Sequence, residues 1–213
     1  MKKIILDGVE VLVEEKDNYL QMNDICASDL SRIWDHIKTN YHKYEKWLCY
    51  HSTEVPITVI NGLEAVLKDN SIELRIDFNS FNCSETPGII QITDNSFSEF
   101  AAYHDKNYPD MYWTSERIRR DLSRWAIHAM KHNNQIDGYV LISMWDPINA
   151  EIYCLDASAS AQCELLIKSA VRHAFDNGKK EVIYMADENT ISYEAALSIG
   201  FAITGFYKGY VVL

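Results

Sequence analysis

The sequence predicts an α/β (α+β) chain, with a mixed central sheet flanked by helices in its C-terminal part and a small α+β domain before it. From 138 to 213 the runs GYVLISMWDP, INAEIYCLDASASAQ, CELLIKSAVRHAFDNG, KKEVIYMADENTISYEAALSIGF and AITGFYKGYVVL follow one another. They read as strand, strand, helix, strand, short helix and a closing pair of strands. A helix set between two strands with no hairpin-length turn implies a crossover and a parallel pairing, hence a mixed sheet. Residues 81–88 (FNCSETPG) are polar, turn-rich and end in Pro-Gly, which makes them the best linker and divides the chain into 1–86 and 87–213.

In the N-terminal part, the apolar runs IIL and VEVLV flank Asp7-Gly8, a turn dipeptide that predicts a hairpin. Leu30, Ile33, Trp34, Ile37, Tyr41, Tyr44 and Leu48 recur at helical spacing, so one helix is expected within 24–50, capped by Ser28 or Asp29. Its aromatic residues, with Trp47 and Tyr50 among them, suit either a core face or a ligand wall. Strands are expected at 55–60, 64–67 and 72–78, separated by turns at Asn61-Gly62 and Asp69-Asn70-Ser71.

Beyond the linker, 89–93 reads as a strand, and Ser96 as the cap of a helix over 97–108. Tyr108, Tyr112 and Trp113 follow in an aromatic, turn-like segment. Thr114-Ser115-Glu116 opens a helix to 124, whose Arg117, Arg119, Arg120 and Arg124 fit either a solvated face or a phosphate cluster. A strand at 125–130 and a turn at Ile136-Asp137-Gly138 lead into the central strand, and Asp146-Pro147-Ile148-Asn149 is a hairpin turn. Leu165, Leu166, Ser169, Ala170, Val171, Ala174 and Phe175 mark a helix that starts near Gln162 and stops at Asn177-Gly178. A short strand at 181–185 precedes a helix over 190–199, with Gly200 just past its end.

Asn189, Ser192, Ala195, Ala196 and Gly200-Phe201 resemble a segment of the GNAT superfamily of acyl-CoA-dependent N-acyltransferases, and the order of elements over about 87–213 is similar to that family's. The resemblance implies a GNAT-like fold and transfer of an acetyl group from acetyl-CoA, the acyl-donor cosubstrate, to an amine by direct attack. It implies donor contacts from the backbone of Cys154, Leu155 and Asp156, from Ser160, Ala161 and Gln162 at the next helix start, and from Asn189. Splayed parallel strands after residues 138 and 150 would hold the carrier, and Tyr108, Tyr112 and Trp113 would line the acceptor. Glu151 occupies a position similar to that of the general base in some members; as a lone carboxylate it equally fits a strand-edge surface. The chain departs from the family twice. The pyrophosphate loop, Arg/Gln-x-x-Gly-x-Gly/Ala in the family, falls in a stretch with no glycine between Gly138 and Gly178, with Asp156 and Glu164 to repel phosphate. The family's Tyr falls on Ala196, so Tyr193 on the same helix face is the candidate substitute, with Tyr207 and Tyr210 further on.

Composition narrows the field. With 213 residues, 47% hydrophobic and 24% charged, the chain can bury a core. A net charge of −11 lacks the basic footprint of a nucleic-acid surface, so no nucleic-acid partner is expected; it fits either simple solubility or steering of the cationic small-molecule or peptide amine that the resemblance implies as partner. No apolar run reaches membrane-spanning length and the N-terminus lacks a signal-type core, which points to the cytoplasm and to no membrane. Five scattered cysteines without CxxC spacing, and seven histidines without ligand spacing, argue for buried free thiols and no metal. The apolar YVVL end could pair at a sheet edge, as in a homodimer. Two other readings stay open: an inactive acyl-CoA-binding or interaction module on the same fold, and an N-terminal domain that does the work.

Overall fold

A computed structural model describes residues 2–15, 18–51, 59–60, 63–82 and 86–213. The chain forms two compact units, Met1–Ile72 with Gly205–Leu213, and Glu73–Thr204. These units divide inside two strands; a domain boundary near residue 86 remains a proposal.

In the first unit, β1 (Lys2–Leu6) and β2 (Val9–Glu14) form the expected hairpin, closed by Asp7 at φ 45 and Gly8 at φ 80. Positive φ at both central residues is what a two-residue hairpin loop requires. β3 (Tyr19–Asn23) pairs antiparallel with β2 and parallel with β4 (Glu45–Tyr50), and α1 (Ala27–Asn40) makes the crossover. The helix expected within 24–50 therefore stops at Asn40, and 45–50 is a strand. Tyr44 and Leu48 had kept helical register with α1 by coincidence, because Leu48 instead points from β4 into the core that α1 covers with Leu30, Ile33 and Ile37. Cys26, not Ser28 or Asp29, occupies the N-cap position.

β5 (Val59–Ile60) pairs with β6 (Leu63–Asp77), which runs unbroken through 69–71, where a turn was expected. The expected strand residues 55–58, the Asn61-Gly62 turn and 83–85 of the linker lie outside the described residues. The closing pair of strands is one strand, β12 (Ala202–Val212), paired with β4 from Lys208↔Tyr50 to Val212↔Lys46. Gly209 does not turn the chain: a Cβ there would sit 2.9 Å from the Trp47 ring, so glycine lets Trp47 lie across β12. The YVVL end lies between β4 and β6, with the Leu213 N–H on the Glu64 carbonyl, and offers no edge.

The second unit holds β7 (Ile89–Gln91), α2 (Phe97–Asn107), α3 (Ser115–Arg120), β8 (Trp125–His132), β9 (Gln135–Ser143), β10 (Asn149–Asp156), α4 (Ser160–Asp176), β11 (Glu181–Ala186) and α5 (Ile191–Ile199). Its strand order is β6-β11-β10-β9-β8-β7, and β10–α4–β11 is the expected parallel crossover in an otherwise antiparallel run from β10 to β7. Two details differ from expectation. Ile136-Asp137-Gly138 lies within β9, and the turn is Asn133-Asn134, at φ 51 and 61. The strands after 138 and 150, β9 and β10, pair antiparallel, because the Asp146 carboxylate accepts the N–H groups of Ile148 and Asn149 and closes a tight hairpin. Helices pack on both faces: Phe97, Phe100 and Ile118 of α2 and α3 bury against Trp125, Ile127, Tyr139, Leu141 and Cys154, while Leu166, Ala170 and Ala174 of α4 are buried in the unit's other layer. Cys49, Cys154 and Cys163 are buried free thiols as expected, whereas Cys26 is exposed and Cys83 lies outside the described residues. No described helix is long and apolar enough to cross a membrane.

Candidate active site

The parallel pairing of β10 with β11 runs from Asn149↔Glu181 to Ile152↔Tyr184 and stops, although β10 continues to Asp156 and β11 to Ala186. Past Ile152 the β11-facing edge of β10 has no strand partner among the described residues, and the two strands frame a notch. On its other edge β10 stays paired with β9, but the register slips between Ile152 and Cys154. That bulge places two successive residues on one face. The Tyr153 ring lies 5.8 Å from Trp125, and Cys154 Sγ lies 3.2 Å from Tyr139 Oη, both within the α2–α3 layer.

At the closed end of the notch lies a cleft of about 260 Å³, lined by Ser143, Trp145, Asp146, Asn149, Ala150, Glu151 and Ile183. Glu151 and Ile183 are register partners one step before the last pair of the two strands, so the Glu151 carboxylate sits where the pairing is about to end. Trp145 links the cleft to a group of rings: Trp113 stands 5.9 Å from Trp145, 5.0 Å from Trp125 and 6.3 Å from Tyr153. Of the arginines expected on a solvated face or in a phosphate cluster, Arg119, Arg120 and Arg124 are exposed and Arg117 is half-buried, so they follow the solvated-face expectation. Arg124 covers Trp145 at 4.4 Å, Arg117 covers Tyr112 at 4.2 Å, and Arg119 lies over Phe97 beside Asp94.

A buried polar chain supports β10 from behind. His104 is fully buried; its Nε2 faces the Trp113 carbonyl at 2.8 Å and its Nδ1 faces Tyr139 Oη at 2.6 Å. A carbonyl only accepts, so Nε2 carries the proton, Nδ1 accepts from the Tyr139 hydroxyl, and the Cys154 thiol donates to Tyr139 in turn. Burial pushes the Cys154 thiol up to about 11 and the Tyr139 phenol far above its usual value. Further along, the hydroxyls of Tyr103 and Tyr108 donate to the Asp156 carboxylate; burial first, and that carboxylate second among the groups named here, raise both phenols.

The sequence-predicted residues are thus distributed. Glu151 lines the cleft, and Cys154, Leu155 and Asp156 border the notch. Tyr108 belongs with His104 and Tyr139, and reaches Asp156 rather than Tyr112 and Trp113. Tyr112 is partly exposed under Arg117. Asn189 is exposed at φ 64, and the cap of α5 is Thr190, whose Oγ1 accepts the Tyr193 N–H at 3.2 Å. Tyr193 is buried on α5 and is not among the cleft-lining residues. Tyr207 and Tyr210 belong to the first unit, where Tyr207 donates to Cys49 Sγ. Sequence reasoning missed Trp145, Tyr153 and the His104–Tyr139 pair. Only the tryptophan beside the Asp146-Pro147 turn carried a usable signal.

The donor implied by the fold can be tested against these residues. An extended amide-bearing arm fits the open edge of β10, whose backbone groups need partners. The pyrophosphate end does not fit. At the start of α4, Gln162 Oε1 accepts both the N–H (3.0 Å) and the hydroxyl (2.9 Å) of Ser158, and its Nε2 lies 3.3 Å from Asp137 Oδ2. Gln162 and Cys163 direct their own N–H groups to the Ala159 carbonyl. None of residues 156–162 has a positive φ, so no backbone nest forms, and Ser160 and Ala161 simply open the helix. Among the described residues, no group of three or more His, Cys, Asp or Glu side chains could hold a metal ion.

No family model and no curated protein sequence matches the chain. Solved structures do. A GCN5-related N-acetyltransferase from Kribbella flavida superposes with a TM-score of 0.71 at 9% identity, covering 99% of this chain and 89% of that one. A conserved protein of unknown function from Staphylococcus epidermidis gives 0.69 at 14% identity over 99% and 93%. A GCN5-related N-acetyltransferase from Sphaerobacter thermophilus gives 0.64 at 12% identity over 95% and 75%. The chain therefore has the fold of the GCN5-related N-acetyltransferases. The likeness extends beyond 87–213, where sequence placed it, to take in the N-terminal residues.

Proposed function

We propose that the chain is an N-acyltransferase that moves an acyl group, acetyl from acetyl-CoA in the simplest case, onto a small-molecule or peptide amine by direct attack. The observation that carries this reading is the end of β10–β11 pairing at Ile152↔Tyr184, one step past a cleft containing Glu151. A thioester laid along the open edge of β10 meets backbone N–H groups able to polarise its carbonyl. An amine in the cleft loses a proton to Glu151, directly or through water, and its nitrogen bonds to the carbonyl carbon. The C–S bond then breaks, and the thiolate leaves with a proton for which Tyr193 is the proposed source. Trp113 and Trp145, with Tyr112 against Trp113 and Tyr108 further off on the Asp156 side, are the proposed acceptor side, and Asn189 the proposed contact beyond the notch. Buried Cys154, its thiol raised by burial, is no nucleophile, and the direct route needs none. We place this activity in the cytoplasm.

The test is release of free thiol from acetyl-CoA over a panel of amines, with Glu151→Gln as the diagnostic variant. Loss of a general base should lower kcat by roughly 10²–10⁴ and remove the acidic limb of the pH profile. Turnover unchanged in Glu151→Gln would remove Glu151 from the mechanism. One observation favours a second reading, a non-catalytic acyl-CoA-binding or interaction module: the loop that should cradle pyrophosphate is bonded to itself.

A further inference from the structure

Resting on the acyltransferase reading, we propose that the donor is recognised through its pantetheine arm alone, and that the nucleotide diphosphate end of a coenzyme A thioester is left ungripped. Beyond the last pair at Ile152, the β11-facing edge of β10 runs on to Asp156, about 13 Å at the rise of an extended strand. That span suits a pantetheine chain, whose amides can pair with strand backbone as an added strand does. Whatever lies beyond the arm would emerge at Ala157–Ala161, directly after Asp156.

The side chains and loop bonding at that exit are wrong for a pyrophosphate. The loop is closed by Gln162 on Ser158, so the Ser158 amide points into a side chain and not outward. Asp137 anchors Gln162, and Asp156 stands at the strand end with two tyrosine hydroxyls donating to it, so the nearest charges are negative. No lysine or arginine occurs anywhere between Lys131 and Lys168. The dipole of α4 by itself offers an exposed anion only about 0.3–1 kcal/mol, and adjacent carboxylates act against it. Gly138 adds a constraint: β9 and β10 approach so closely that a Cβ at 138 would lie 2.7 Å from the Asp156 carbonyl, which fixes this acidic corner against the sheet.

The experiment is titration calorimetry of the full chain with coenzyme A, pantetheine and 3′-phosphoadenosine 5′-diphosphate, at 50 and 500 mM salt. The expected result is dissociation constants for coenzyme A and pantetheine within about threefold, no binding of the nucleotide, and little salt dependence. Coenzyme A binding thirtyfold or more tightly than pantetheine, with measurable nucleotide affinity, would overturn the inference and leave the acyltransferase reading standing. Binding by none of the three would sink that reading, and the inference with it. Asp137→Lys supplies the missing cation; it should tighten coenzyme A severalfold and leave pantetheine unchanged. Equal effects on both ligands would show that the acidic corner is not the cause.

Discussion

Tyr139 shows how much one hydroxyl can fix. It donates to His104 and accepts from Cys154, so it ties α2 to the bulged strand that carries the candidate site. Tyr139→Phe keeps the ring and strands His104 Nδ1 in the core without a donor. Urea denaturation should show a loss of about 1–3 kcal/mol, the cost of an unsatisfied buried polar group. Cys154→Ala removes only the weak terminal donor and should cost less. A loss in Tyr139→Phe no greater than in Cys154→Ala would mean the relay is not a unit. None of this chain was visible in sequence, because His104, Tyr139 and Cys154 are drawn together from three elements with no shared spacing.

At the scale of elements, α5 and β10 each depend on a local device. Thr190 accepts the Tyr193 N–H and donates to the Asp187 carbonyl, and Gly200 at φ 110 ends the helix. Thr190→Ala should cost about 1 kcal/mol in thermal or chemical unfolding, the usual value of a lost N-cap; no change would show that α5 is held by packing alone. Gly138→Ala drives a methyl into the Asp156 carbonyl, so strand β10 must shift. A destabilisation of about 1–3 kcal/mol is expected, together with weaker ligand binding at the notch. The hairpin at Asp7-Gly8 and the stop at Gly200 were legible because turn and cap chemistry is local. The end of α1 was not, since Tyr41, Tyr44 and Leu48 satisfy a helical period that only the pairing of β4 with β3 and β12 overrides.

The whole molecule should be acid-sensitive through a buried histidine pair. His128 on β8 bonds Ser169 of α4 through Nδ1, its Nε2 has no partner among the described residues, and its ring lies 4.9 Å from His173. Burial first, then the charge of His173, depress His128 from 6.5 to about 4, and burial lowers His173 as well. The unfolded chain thus takes up a proton near pH 6.5 that the folded chain refuses until about pH 4. Stability is full above pH 6.5 and falls as pH drops through that window, by on the order of 3 kcal/mol for His128. Denaturation midpoints between pH 7 and 4 check this. In His128→Leu combined with Ser169→Ala the slope should shrink, and an unchanged slope would assign the acid loss to other groups.

By itself the sequence determined the fold class, the β10–α4–β11 crossover, the Asp146 hairpin, the end of α5 and the missing glycines of the α4 loop, because each is written in periodicity or turn chemistry over a few adjacent residues. It also picked out Glu151, though only as one carboxylate among many. Tertiary structure alone decided that β10–β11 pairing stops one residue after Glu151, that Trp145 walls the cleft beside it, and that Gln162 turns inward to Asp137 and Ser158. These depend on register and on contacts between residues distant in sequence, and strand register is set by the packing of whole faces rather than by any local run of residues.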